Sequence, residues 1–580
     1  MTGYHRPSRP TSSSISTGTL RILRSSLRAL PLLCAAWCGN ALATTVIYQG
    51  APGSSGLAGA TPGAPGTAGV AALPVFYALS GTAPVNSLTV NGGAGGAGGN
   101  GANGNPGQDG GAAGAGGAGG AATAVLAAIA PAAGGTLAVT ANGGAGGNAG
   151  QPGIGAAAGA DAPGGAGGSA SANGVLTSSD NAPTGGGGNA QLSASSTALA
   201  GAPGNGTFSA DGGNADANVT VTGYGRVSGT ALATGNYGGV QGGYGNARAI
   251  VGSNDSAVAS ATANGGGAFF NPGAPATARA EASAGWHASA EAVAQSGSGR
   301  FGNSEAASAI AQATVDRVTG TPPPAAGLVS EARAHAQASF QGGQVLARSS
   351  YADASLGASV VATASSAQPA QLYQPEAYSA ANVGGAAYDR WTPVLNLAGV
   401  ASYASALPDP ASLTALMAAS PNIDAAFDGA QLLGAGTVGA MFFPFTATAA
   451  YNLPFTAGRH LLLGLGLPFT SEFDSASFEF SVSNGATELY AGSFTTPAQA
   501  GLFADHVLDL GVIDSSTLDL LVRFTLNSGL YGFSYVLGAG DALTPVPEPG
   551  TWLMLVLGLA WLTWRACKLR DASVASPHGW

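Results

Sequence analysis

Of 580 residues only 8% are charged and 7% aromatic, whereas glycine alone occupies 95 positions, so one large conventional core is excluded and several dissimilar regions are expected. The formal net charge is −10, and between 44 and 550 there are 27 acidic residues against 10 arginines. That balance argues against nucleic acid or an anionic membrane surface as partner.

In chain order, Arg21, Arg24 and Arg28 precede an apolar stretch from Ala29 to Trp37, and Ala41-Leu42-Ala43 follows with small residues where a signal peptidase needs them. Residues 1–43 therefore read as a Sec-type signal peptide cleaved after Ala43, which implies the Sec translocon and signal peptidase as partners in export. The three cysteines, Cys34, Cys38 and Cys567, all lie in the terminal segments. The mature chain is thus expected to have no disulfide and to depend on backbone hydrogen bonding and repetitive packing.

Residues 44–213 form a Gly-rich low-complexity region. Between Gly92 and Gly120 glycine opens every triplet except the one at Ala113, and the second position is often glycine too, as at Gly93, Gly96, Gly99 and Gly117. A period of three matches a polyproline II geometry, but Pro106 is the one proline in that stretch, which disfavours collagen. Two readings stay open. One is a bundle of polyglycine II-like helices packed through their bare faces; the other is disorder, because glycine loses the most entropy on ordering.

Residues 214–366 change to a period of two. Ala276, Ala278, Ala280, Ala282 and Ala284 alternate with polar residues, and Ala288 to Ala294 and Ala332 to Ala338 repeat the pattern. Alternation puts methyl groups on one face of a strand, so repetitive β structure, with a β-solenoid as one form of it, is predicted. No clean rung length is visible. "SEAASAIAQATVDRV", beginning at Ser304, also suits a helix.

Residues 371–543 have ordinary composition. Phe478, Phe480 and Val482 share one face, and Asn484-Gly485 supplies a hairpin turn before "ATELYAGSF". Leu518, Leu520, Val522, Phe524 and Leu526 share another, and a last strand runs through Tyr531, Phe533, Tyr535 and Leu537. An antiparallel, jelly-roll-like β-sandwich is predicted, so the chain as a whole is expected to be mainly β.

The segment 544–570 begins with Val546-Pro547-Glu548-Pro549, continues in an apolar run, 552–564, and ends with Arg565, Lys568 and Arg570; a polar tail, 571–580, follows. As a helix the run reaches roughly 20 Å against roughly 30 Å of hydrocarbon, a provisional anchor. The two prolines hold Glu548 in an extended entrance, and the basic flank suits the cytoplasmic side. This order of features resembles the PEP-CTERM sorting signal. The resemblance implies an exosortase as processing partner, transient residence in the inner membrane, removal of the tail, and delivery to the surface or matrix of an exopolysaccharide-producing bacterium. The region 371–543 also looks like the small sandwich that often precedes that signal.

Chemistry-bearing constellations are sparse. His287, His335, His460 and His506 stand at least 46 residues apart, in no metal-ligand spacing, and HExxH, GxSxG and CxxC do not occur. Glu472 with Asp474, or Asp211 with Asp216, are calcium candidates, though turn carboxylates are the plainer reading. Asp505, Asp509, Asp514 and Asp519 are considered as a glycosidase acid and base, and Trp391 and Tyr490 as sugar platforms or core residues. The expectation is a structural protein without catalytic residues, cofactor or metal, with exopolysaccharide as possible partner. The alternative is a carbohydrate-binding adhesin on a Gly/Ala-rich stalk.

Overall fold

The computed structural model describes residues 44–565 apart from 82–84, 132–133, 179–190, 208–209, 300–305, 318–330, 339–343, 368–375, 386–394, 402–418, 428–429, 442–444, 471–476, 497–498, 500–504, 529 and 544–556. The protein is mainly β. Its described strands form two sheets, one of fourteen strands and one of thirteen, and for most of the chain successive strands alternate between them.

From Thr44–Gln49 to Gln344–Asp353 each strand bonds in parallel to the strand two places on, so one rung consists of one strand from each sheet. Ala215, Gly245, Ala276 and Ala307 stack in one column, which sets steps of 30, 31 and 31 residues. Later steps lengthen, to 36 from Ala309 to Val345 and 44 from Ala288 to Ala332, so no single rung length runs through the region, as the sequence suggests, and the near-constant step is confined to these rungs. It is carried by the corners Tyr224-Gly225, Asn254-Asp255 and Gly285-Trp286 rather than by the alanines, which are too uniform to mark a phase. The stretch with helical propensity is the strand Ala307–Arg317, paired along its length with Ala276–Ala284 and Gln344–Asp353. Neighbouring strands override alanine's local preference there.

The two inner faces meet in a core that is mostly methyl groups. Ala247, Ala249, Ala257, Ala261, Ala278, Ala280, Ala288, Ala292, Ala309 and Ala311 are all fully buried. The sheets lie close enough for the Ser349 hydroxyl to donate to the Ser379 carbonyl of the opposite sheet at 2.9 Å, with both residues buried. Toward the carboxy-terminal end the filling becomes large, with Tyr351, Phe445, Tyr451, Phe524 and Tyr535. There the hydroxyls of Tyr451 and Tyr535 meet at 2.8 Å, and Tyr451 also donates to the Ala435 carbonyl. Burial pushes both phenols above their ordinary range.

Between the strands of the first four rungs lie the glycine triplets, laid out and back as extended segments. Gly95, Gly98 and Gly101 donate to Ala145, Asn148 and Gln151 in the next rung at 2.8 Å each, a step of three on both partners. Gly96 and Gly99 donate the other way, to Val70 and Thr67. Consecutive glycines thus bond to two different neighbours, and both need bare α-carbons. A Cβ on Gly147 would fall inside the Gly96 carbonyl group, and one on Gly96 inside that of Ser54. The out-and-back path of residues 92–121 turns at Asn105–Gln108, where Gly107 takes φ +83°.

The sheets continue through the change of composition near 367. Ala358–Ala367 pairs with Gln344–Asp353 on one side and Phe445–Pro454 on the other, now antiparallel. Glu376–Gly385 makes the same switch in the second sheet. The antiparallel expectation needs one correction, since Leu395–Ala401 lies parallel to Gln431–Met441. Residues 557–565 form an exposed helix that takes in the end of the expected apolar run and Arg565; among the described residues no helix is long and apolar enough to cross a membrane. The signal peptide, Ala41 and Ala43 included, the motif Val546–Pro549, Lys568 and Arg570 lie outside the described residues.

Candidate functional site

The parallel register brings together residues that are distant in sequence. His287 stands opposite Glu331, and Glu291 opposite His335, on adjacent strands of one sheet. His335 Nδ1 lies 3.5 Å from Glu291 Oε1, and the ring stacks flat on Tyr378 with 4.1 Å between centroids. The hydrogen bond from His335 holds the Glu291 carboxyl below its usual range, against the opposing effect of burial. His287 Nδ1 is 4.0 Å from Glu331, whose other oxygen takes Arg333 at 2.7 Å. Sequence spacing could not show these pairs, because they are one rung apart and the rungs here have no fixed length. On the opposite sheet Glu281 is shared by Arg279 and by Arg248 from the preceding rung.

At one corner Arg317 lies over the Trp286 ring, 4.1 Å from its centroid, and holds the fully buried Asp353 at 2.9 Å. Asp353 also accepts from the Ser355 amide at 2.9 Å. In the neighbouring corner burial raises the Asp255 carboxyl, ahead of the lowering effects of Arg226 and His287. Its backbone carbonyl accepts from the amides of Trp286 and His287.

Uncharged amides form a second kind of ladder. Asn142 donates to Asn91 at 2.7 Å and Asn91 to Gln49 at 3.0 Å. The next residue in that column is Leu199, and the Asn142 side-chain oxygen Oδ1 is buried without a hydrogen bond.

The calcium candidates Asp211 and Asp216 belong to such ladders. Asp211 accepts from the Gln241 amide, and Asp216 from Tyr244 Oη at 3.2 Å and Asn246 Nδ2 at 3.1 Å. Glu472, Asp474 and Trp391 lie outside the described residues. Among the described residues no three His, Cys, Asp or Glu side chains cluster as a metal site would require.

The four sandwich carboxylates go to separate tasks. Asp505, at φ +55°, receives the amides of Asn422 and Ile423 at the start of the helix Pro421–Ala426. Asp509 takes His460 Nδ1 at 2.9 Å together with the amides of Gly511 and Leu543. Burial would raise its carboxyl, but those three hydrogen bonds outweigh it and hold the group below its ordinary value. Asp514 is exposed, and Asp519 has its own amide on Asn484. His506 is exposed at the start of its strand. Tyr490 is half-buried, 6.0 Å from Phe480, and packs against the main core. Arg565 of the basic flank stacks on Trp561, 4.7 Å from the ring centroid.

Sequence reading missed one surface feature, a group of exposed aromatic residues at the tips of two successive rungs. Tyr237, Phe269 and Phe270 are 47%, 39% and 52% exposed. Tyr237 lies against Gly267, the Phe269 and Phe270 amides donate to Gly238 and Gly239, and the two Phe rings meet edge to face at 4.9 Å. "GNYGG" and "GGAFFNPG" carried the signal, as aromatics inside turn-forming stretches.

No family model matches the chain, and a search of curated proteins found no match.

Proposed function

We propose that this is a non-catalytic structural protein of the cell surface or extracellular matrix, exported by a signal peptide, sorted by an exosortase and associated with exopolysaccharide. On this reading the Gly-rich lobe is a polyglycine II-type bundle, the alanine strands a β-solenoid, and 371–543 a jelly-roll-like sandwich that precedes the sorting signal. The observation that carries the proposal is how the ionisable side chains are used. Glu281, Glu291, Asp353 and Asp509 each meet a cationic or histidine neighbour that braces one strand against another. Such a distribution builds a stiff rod. The test is to delete the exosortase in the host and follow the carboxy terminus by mass spectrometry. Loss of residues after Pro549 in the normal strain and their retention in the deletion strain are expected; an intact tail on protein recovered outside normal cells would refute it.

The adhesin reading is favoured by Tyr237, Phe269 and Phe270, whose exposed rings suit stacking on sugar faces. Retention of the full chain on purified matrix polysaccharide, lost when all three are changed to alanine, would support it. Unchanged retention would leave the structural role alone.

A further inference from the structure

The first rung, 44–81, ends both sheets, and its free side is unlike any other edge of the molecule. Thr44–Gln49 pairs with Val85–Asn91, and Val75–Gly81 with Ala122–Ala130; among the described residues neither strand has a neighbour on its other side. In a parallel ladder alternate residues turn their amides to opposite sides. Gly50 donates inward to Asn91, and Val75 to Ala121. The amides of Thr45, Ile47 and Gln49, and those of Phe76, Ala78 and Ser80, therefore point outward. Apolar side chains crowd the same rung, with Leu57 74%, Leu73 76%, Phe76 68% and Ile47 60% exposed. From 44 to 108 the chain holds no Asp, Glu, Lys, Arg or His.

The far end is different. Its edge strands, Thr487–Phe494 and His506–Ile513, carry Glu488, His506 and Asp509, and their pairings are interrupted by register shifts. Charges and bulges of that kind discourage strand addition. The first rung has neither.

We propose that two copies of this chain join at their first rungs about a two-fold axis, each edge strand lying antiparallel to one of the partner copy's. Charge selects this occupant: the rung has no charged side chain, and in an antiparallel pair the α-amino groups left at Thr44 by signal-peptide cleavage lie at opposite ends of the strands, whereas docking on the far end would bury Glu488 and Asp509 against leucine and phenylalanine. Geometry selects it too, because a second copy presents two edge strands at the same separation, so both sheets continue across the junction together.

The test, which rests on the proposed removal of 1–43, uses the chain beginning at Thr44 in a detergent that shields the terminal apolar helix, followed by sedimentation velocity and negative-stain microscopy. A dimer is expected, seen as rods joined at one end. Ile47→Pro with Ala78→Pro removes two outward amides and leaves the inward bonds in place; it should weaken association at least about tenfold with the melting temperature unchanged. If that variant folds poorly, Ile47→Lys with Phe76→Lys is the second probe and should dissociate the pair by repulsion. Val512→Lys at the far end should leave the dimer intact. A monomeric parent chain, a dimer that survives both rung variants, open-ended fibres, or dissociation by Val512→Lys would each overturn the proposal.

Discussion

Placing a methyl group on Gly147 tests whether the triplet lobe is packed as described. Its amide donates to the Gly117 carbonyl at 2.7 Å, and its missing Cβ would lie 2.5 Å from the Gly96 carbonyl carbon and 2.9 Å from the Gly95 oxygen. The obstacle is backbone, so no side chain can swing aside. Either the Gly96 segment shifts or the Gly147 segment leaves. A shift weakens the Gly96 bond to Val70 and the Gly117 bond to Gly96, both 2.8–2.9 Å. Two bonds at about 1 kcal/mol each, plus overpacking at about 1–3 kcal/mol, give a loss of about 3–5 kcal/mol. The control is Gly252→Ala, where the nearest atom to the added methyl is Ser283 Oγ at an ordinary 3.5 Å; stability there should hold or rise by about 0.5 kcal/mol. Urea unfolding of both variants, followed by circular dichroism, measures the difference. Equal stabilities would refute the reasoning and favour the disordered reading of the lobe.

Three further outcomes follow from the side chains. Because Tyr451 and Tyr535 have folded-state pKa values above those of the unfolded chain, their contribution is complete below about pH 10 and fades as pH rises beyond it. The melting temperature should fall there, and fall less steeply in the Tyr451→Phe, Tyr535→Phe double variant. Asp509 is shifted the other way, so its contribution is present above about pH 4 and lost on acidification; in acid titrations followed by fluorescence, Asp509→Asn should flatten the decline. Leu199→Asn replaces a 40% exposed leucine with an amide able to donate to the buried Asn142 oxygen, and should raise stability by about 1 kcal/mol in thermal melts.

Much of the β architecture was legible because strand alternation is a local signal. The inward set Phe478, Phe480 and Val482, and the set from Leu518 to Leu526, are buried as their spacing predicts. The hairpin at Asn484-Gly485 also joins the expected strands. What local spacing cannot convey is which strand lies beside which. Ala332 and Ala288 are 44 positions apart yet partners, and nothing in either strand encodes that number. The glycine triplets carried their period openly, but their two-sided bonding depends on carbonyls from other rungs, so packing and disorder looked alike from composition. For the candidate site the same limit holds: Glu291 and His335, or Arg317 and Asp353, meet through register, and histidine spacing along the chain held no trace of them.

The triplet lobe gives the rod an adjustable width at constant strand geometry. Between the strands Gly134–Asn142 and Ala170–Ser178 lie 27 residues, and between Arg226–Thr234 and Gly245–Ser253 only 10, yet all four strands are nine residues long. The surplus lies between strands, in segments whose bonding repeats every third residue. Adding one triplet to the outgoing arm and one to the returning arm would lengthen the lobe by one step and leave every strand in phase. Evolution can thus widen or trim a fin along this molecule without rebuilding its spine.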